Sequence, residues 1–193
     1  MIPMIFHRCV PAHVPAEFDA WWDRFAELHP AWMFNTVADP IDPTHYELGH
    51  LHQRCTTGAQ LAGMVRLELV WRYGGIYVDM DVEPLRSFDE LRSHDCFVGT
   101  EDGHHLTDAV FGAEAGHPAV RACIDRLLDG YWSKNPSETG PVLMTNTFRA
   151  VGGVTVLPKA AFYPYSWDED DPGTYGDSFA VHRWNHSWKE WGL

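Results

Sequence analysis

Strand-like and helix-like patterns alternate along most of this 193-residue chain. They predict an α/β layered fold with a mostly parallel central sheet flanked by helices. Three observations carry that expectation. A short apolar run at 2–9 is followed at 15–28 by Phe18, Trp21, Trp22 and Phe25 at helical spacing. A second helical pattern over 60–73 stops at Gly74-Gly75 and gives way to an apolar run at 76–82. The length suits one domain with a substantial core, so residues 1–193 are read as a single domain.

The remaining elements follow in order. Residues 32–37 read as a second strand, and 39–57 as a loop that opens with two Asp-Pro steps. Strands are expected at 96–100, 109–113, 154–157 and 179–183. Helices are expected at 118–132, with Pro118 in the first turn, and at 141–151. In a sheet of this kind, ligands bind beyond the carboxyl ends of the strands.

Composition narrows the functional classes. The 27 acidic and 14 basic side chains give a formal charge of -13, which makes nucleic-acid binding through a broad basic face and docking on an anionic membrane poor fits. An acidic protein that binds phosphates needs a metal ion or a few well-placed cations. No apolar stretch approaches the roughly 20 residues that span a bilayer. The start of the chain lacks the pattern of a signal peptide. Four scattered cysteines (9, 55, 96 and 123) without a C-x-x-C read as free thiols. A cytoplasmic protein is the expectation.

The strongest motif is Arg66-x6-Tyr73-Gly74-Gly75-Ile76-Tyr77-Val78-Asp79-Met80-Asp81. If the strand runs through it, positions i and i+2 share a face and Asp79 and Asp81 stand side by side. Two close carboxylates repel, and a divalent cation resolves the conflict; hard oxygen ligands suit Mg²⁺ or Mn²⁺. The plainer alternative is a solvated turn, which the apolar neighbours Ile76, Val78, Met80 and Val82 disfavour. Arg66 lies in an otherwise apolar helical stripe and needs an anion, either a ligand phosphate or a carboxylate such as Asp79. His50-x-His52-x-x-Cys55, with His45 nearby, matches no standard zinc spacing and reads as a polar loop. The acidic run at 168–171 reads as solvated. No G-x-S-x-G, Walker or G-x-G-x-x-G pattern is present.

Five short motifs then come in a telling order: Ile2-Pro3-x-Ile5-x-His7, the Arg66 to Asp81 block, Gly116-His117-Pro118, Thr139-Gly140-Pro141-Val142-Leu143-Met144-Thr145, and His182 with His186-Ser187-Trp188. In this the chain resembles the DXD sugar-transferase family, which includes α-1,6-mannosyltransferases and α-1,4-galactosyltransferases and is related to the glucosylating toxins. The resemblance implies a GT-A fold, a nucleotide-sugar donor carrying UDP or GDP, Mn²⁺ or Mg²⁺, an acceptor hydroxyl, and retention at the anomeric carbon. Carried over by position, it implies that Asp79 faces the ribose and donor sugar and that Asp81 binds the metal. Arg66 and Tyr77 would line the donor site, with Ile5, Phe6 and His7 against the nucleotide. The closing segment would contribute His182 as a metal ligand and Ser187 and Trp188 over the diphosphate.

The chain departs from the family pattern in places. Ala62 and Gly63 stand where Ser-Asp is usual, Val10 where a Trp is usual, and Asp108 where an Asn is expected. Gly63 lies about one helical turn before Arg66 and is expected to face the donor sugar, giving weaker discrimination among donor sugars or room for a bulkier or differently oriented one, such as a sugar bearing an N-acetyl group. For the group facing the reacting sugar, Asp108 is the first candidate, with Glu101 and Asp102 behind it. Same-face return of the acceptor is the other route. Two rival classes stay open: a metal-dependent phosphoesterase or nucleotidyltransferase, and a non-catalytic nucleotide-sugar binder.

Overall fold

The computed structural model describes residues 1–185. Its main sheet contains β1 (Ile5–Val10), β2 (Met33–Ala38), β3 (Gly75–Val78), β5 (Cys96–Thr100), β6 (Leu106–Ala113) and β7 (Thr155–Val156). Their order across the sheet is β2-β1-β3-β6-β5-β7. The pairings β1–β2, β1–β3 and β5–β7 are parallel, whereas β6 is antiparallel to both β3 and β5. Five strands therefore run one way and β6 alone runs against them. The mostly parallel α/β reading holds. A small second sheet pairs β4 (Val82–Pro84) with β8 (Ala180–His182).

Apolar side chains bury both faces of the sheet. In β3, Tyr77 faces a core with Val65, Leu69 and Phe111. Ile76 and Val78 face the opposite core, with Phe6, Phe25, Phe97 and Phe162. Helices α2 (Gly58–Tyr73), α3 (Pro118–Leu128) and α4 (Leu143–Val151) supply the first core, and α1 (Ala16–Leu28) contributes Phe25 to the second.

Helix α2 starts where Thr57 Oγ1 accepts the Gln60 N–H at 3.1 Å and ends at Gly74, whose N–H donates to the Val70 carbonyl at 2.9 Å. Gly74 and Gly75 both have positive φ, and a Cβ on Gly75 would lie 2.5 Å from the Ile5 carbonyl oxygen. The glycine pair thus lets the chain turn at once from α2 into β3 beside β1.

Several boundaries differ from expectation. The loop at 39–57 contains 3₁₀ segments at Pro43–His45 and Glu47–Arg54. Buried Glu68 holds the second one by accepting the Glu47 and Leu48 N–H groups at 2.8 and 2.7 Å. The expected strand at 76–82 is two strands, because Asp79 to Val82 is a turn closed by the Val82 N–H on the Asp79 carbonyl at 3.2 Å. The helix expected at 141–151 is preceded by a wide turn at Glu138–Val142, where Gly140 takes φ -111 and ψ -105.

Candidate functional site

The carboxyl ends of β1, β2, β3 and β5 and the start of β6 meet at one edge of the sheet, and a cleft of about 330 Å³ opens there. From the end of β1 it takes Cys9 and Val10, with Pro11 just after them, and beyond β2 it takes Asp39 and Ile41. Asp79 to Asp81 follow β3, Glu101 follows β5, and Thr107 to Ala109 begin β6. Ala59, Ala62 and Arg66 of α2 form one wall, Asn135 to Ser137 another, and Tyr163, His182 and Trp184 a third.

Arg66 is the electrostatic hub. The residue is 4% exposed, and its guanidinium carbon lies 4.5 Å from the centroid of the Tyr77 ring. Nη2 meets Asp79 Oδ1 at 3.0 Å, while Nη1 meets Asp108 Oδ2 at 3.3 Å and donates to the Asp108 carbonyl at 2.6 Å. Tyr77 OH donates to Asp79 Oδ1 at 2.9 Å. Strand alternation explains the grouping, since Tyr77 and Asp79 project toward the α2 side where Arg66 stands. Of the two readings for Arg66, the carboxylate partner is observed. Burial raises the Asp79 carboxyl to about 6; Arg66 opposes this, and Asp81 and Asp108 add to it.

Asp81 reaches the same place by another route. The turn at 79–82 swings it toward β8, where Val82 pairs with His182. Asp81 Oδ1 lies 3.4 Å from His182 Nε2, Oδ2 accepts the Asn185 N–H at 3.0 Å, and its carbonyl accepts the Arg183 N–H at 2.9 Å. The expectation of i, i+2 alternation on one strand is therefore corrected: a turn, not a pleat, brings Asp79 and Asp81 together. Asp79, Asp81 and His182 each offer a ligand atom, and these atoms lie within 4.8 Å of one another. They are the one such group among the described residues, so His45, His50, His52 and Cys55 form no metal cluster there. The His182 Nδ1 atom is buried without a hydrogen-bond partner among the described residues. Two carboxylates and an imidazole suit a divalent ion such as Mn²⁺.

Other sequence candidates move. Phe6 is fully buried, 4.6 Å from the centroid of Trp32, and belongs to the core. His7 is buried, with Nε2 on the Gly74 carbonyl at 2.8 Å and Nδ1 facing Asn35 Nδ2 at 3.1 Å. Neither Phe6, His7 nor Ile5 lines the cleft; the far end of β1, at Cys9 to Pro11, does so instead. Tyr77 is fully buried and acts behind Asp79 rather than in the cleft wall. Gly63 is also off the cleft. It lines a small cavity with Asp108, Gly140 and Leu143, one position round the helix from the stripe at 59, 62 and 66. Asp102 turns away to hold the His104 and His105 N–H groups at 2.7 and 2.6 Å. Ser187 and Trp188 lie outside the described residues. Sequence reasoning missed Asp39, Ile41, Asn135, Tyr163 and Trp184. Position just after a strand could have found Asp39; Tyr163 carries no local signal.

The fold is that of the GT-A class. The chain resembles that class in structure over nearly its whole length: it overlays a galactosyltransferase, LgtC, solved with donor and acceptor sugar analogs, at a TM-score of 0.56 and 12% identity, covering 98% of this chain and 92% of that one. It overlays the PaToxG glycosyltransferase at a TM-score of 0.61 and 14% identity, covering 78% and 69% of the two chains. More particularly, the chain resembles the DXD-motif sugar transferases. Residues 18–98 match the family described as the glycosyltransferase sugar-binding region containing a DXD motif. A lactosylceramide 4-α-galactosyltransferase of Gorilla gorilla gorilla is 31% identical over 148 residues, covering 65% of this chain and 44% of that protein. A human α-1,4-N-acetylglucosaminyltransferase is 28% identical over 143 residues, covering 63% and 41%. The chain thus spans less than half the length of these two relatives.

Proposed function

We propose that this chain is a metal-dependent glycosyltransferase that moves a sugar from a UDP- or GDP-sugar to an acceptor hydroxyl with retention. The observation that carries the reading is the convergence of Asp79, Asp81 and His182 at the sheet edge, beside a buried Arg66 already committed to Asp79 and Asp108. Arg66 is the one Lys or Arg among the described residues lining the cleft, which also holds Asp39, Asp79, Asp81, Glu101 and Asp108. A diphosphate entering this cleft needs a counter-charge from elsewhere. A divalent ion, when bound, supplies Lewis-acid stabilisation to the departing diphosphate.

The residues themselves divide the work. Asp81 and His182 face each other as ligands, with the Asn185 and Arg183 N–H groups fixing Asp81 in place. Arg66 and Tyr77 hold Asp79 at the margin of the cleft, 26% of its side chain remaining accessible. Asp108 sits at the start of β6 with its carboxylate turned to Arg66 and its side chain 16% exposed, where it can stabilise positive charge on a reacting sugar. The apolar Cys9, Val10, Pro11 and Ile41 offer a surface for a nucleobase. Retention agrees with the α linkages in the names of both curated relatives, because the common nucleotide donors of galactose and N-acetylglucosamine are themselves α-linked.

Purified protein is tested for release of UDP or GDP from a panel of nucleotide sugars. Release is expected with Mn²⁺, absent with chelator, and lost in Asp81→Asn. Metal-independent turnover by Asp81→Asn would overturn the reading.

A further inference from the structure

The sheet edge sets its side chains in a fixed sequence. Asp39 follows β2, Cys9 to Pro11 end β1, Asp79 to Asp81 follow β3, Asp108 begins β6 and Glu101 follows β5. The apolar end and Glu101 therefore lie on opposite sides of the Asp79–Asp81–His182 group. A diphosphate held at that group, with its nucleoside toward β1 and β2, directs its sugar toward Asp108 and Glu101.

The segment after β5 is built to hold Glu101 there. A register shift between Val98 and Thr100 re-aims the end of the strand. Thr100 Oγ1 accepts the Gly103 N–H at 2.9 Å and donates to the His105 carbonyl at 2.8 Å. Asp102 caps the other side through the His104 and His105 N–H groups, and Arg149 donates to the His104 carbonyl at 2.5 Å. With the loop fastened and Asp102 turned outward, Glu101 remains in the cleft wall, half-buried. Its carboxylate has no hydrogen-bond or ion-pair partner among the described residues. Asp108, by contrast, is engaged by Arg66. The wall on this side also carries Tyr163 and Trp184, whose rings are 5.7 Å apart, and His182 with its unpartnered, buried Nδ1.

Resting on the glycosyltransferase reading, we propose that Glu101 binds the acceptor and takes the proton from the attacking hydroxyl of an uncharged saccharide. The acceptor O–H proton passes to a Glu101 carboxylate oxygen. The acceptor oxygen bonds to the anomeric carbon on the face that the diphosphate leaves, as retention requires, and the bond from that carbon to the diphosphate breaks. Its electron pair leaves with the nucleoside diphosphate. A carboxylate accepting from a hydroxyl makes the stronger, charge-assisted kind of hydrogen bond. Burial, reinforced by Asp102, raises the Glu101 carboxyl above its ordinary value, the direction that favours proton uptake. The five carboxylates against one Arg repel a sulfated or sialylated acceptor, while the half-buried Trp184 ring, backed by the fully buried Tyr163, suits the C–H face of a neutral sugar.

The test uses the whole chain with Mn²⁺. Calorimetry with UDP and with GDP comes first, for the wild type and Glu101→Gln; if the wild type binds neither, the glycosyltransferase reading itself falls. With nucleotide affinity equal in the two proteins, sugar transfer is measured from UDP-galactose, UDP-N-acetylglucosamine and GDP-mannose to a panel of neutral methyl glycosides and their sulfated counterparts. Glu101→Gln is expected to lose about 100-fold or more in acceptor-dependent transfer, the scale of a lost general base. Glu101→Asp should recover part of it at a raised acceptor KM. Transfer by Glu101→Gln within about threefold of wild type at an unchanged acceptor KM would overturn the role of Glu101, given the size of that effect. Preference for sulfated acceptors, or no transfer to any neutral glycoside, would overturn the acceptor class.

Discussion

Replacing Arg66 by Met tests the electrostatic centre of this fold most directly. Met matches the aliphatic stem of Arg and keeps the packing against Tyr77, so the change isolates the charge. Arg66 is 4% exposed, and its removal leaves Asp79 and Asp108 facing each other without a cation. Breaking a buried ion pair from one side costs about 3–5 kcal/mol. The residual exposure of Asp79 and Asp108, 26% and 16%, favours the lower end of that range. For a domain of this size each kcal/mol shifts Tm by about 2–4 °C, so a loss of about 3 kcal/mol lowers it by roughly 6–12 °C. The assay is urea and thermal unfolding of both proteins at pH 8 and pH 5. At the lower pH the orphaned carboxylates can take up protons and the deficit should shrink. A deficit below about 1 kcal/mol at pH 8 would place the pair in the range of surface ion pairs and refute the reasoning. So would a deficit that grows on acidification.

Other outcomes follow from the same geometry. Mn²⁺ at 100 times its Kd should stabilise the wild type by about 2.7 kcal/mol, seen as a rise in Tm, and Asp81→Asn should abolish most of that rise. Gly63→Ala should stabilise by about 0.5–1 kcal/mol in equilibrium unfolding, because its Cβ would meet nothing within 4 Å and a helix interior disfavours Gly. Gly63→Asp should instead destabilise by setting a second carboxylate beside Asp108 in a small cavity, with donor ranking unchanged. Burial lowers the pKa of His7, against the opposing pull of the Gly74 carbonyl. The unfolded chain therefore binds the proton first as pH falls below about 6.5. The stability His7 confers is complete above that value and is lost on acidification, so the urea midpoint should fall less between pH 7.5 and 5 in His7→Gln than in the wild type.

Much of the fold was legible because it rests on local signals. The apolar run of α2 and its Gly74 cap are visible in the chain, and the alternation of elements implied the mostly parallel sheet. The carboxylate pair Asp79 and Asp81 was legible in identity but not in geometry, since an apolar run broken only by two carboxylates reads as one strand. The turn at 79–82 instead brings those carboxylates together beyond the sheet edge. The position of Gly63 failed for a different reason. Neighbouring positions on a helix differ by about 100°, so a stripe through 59, 62 and 66 faces the cleft while 63 looks under Asp108. Ile5, Phe6 and His7 were carried over too early along β1, because ligands meet a strand at its carboxyl end, here Cys9 to Pro11.

The distance in sequence between Asp81 and His182 explains what local reading could not reach. β8 joins the site only because it pairs with β4, the short strand created by the turn after Asp79. One irregularity thus does two things: it redirects Asp81 and it provides the edge on which His182 docks. Had residues 76–82 continued as a single strand, successive side chains would have alternated and Asp81 would have remained in the plane of the main sheet. The grouping of Asp79, Asp81 and His182 therefore depends on the break in β structure as much as on the two carboxylates. A pair of aspartates in an unbroken strand would carry the same motif without His182 beside it.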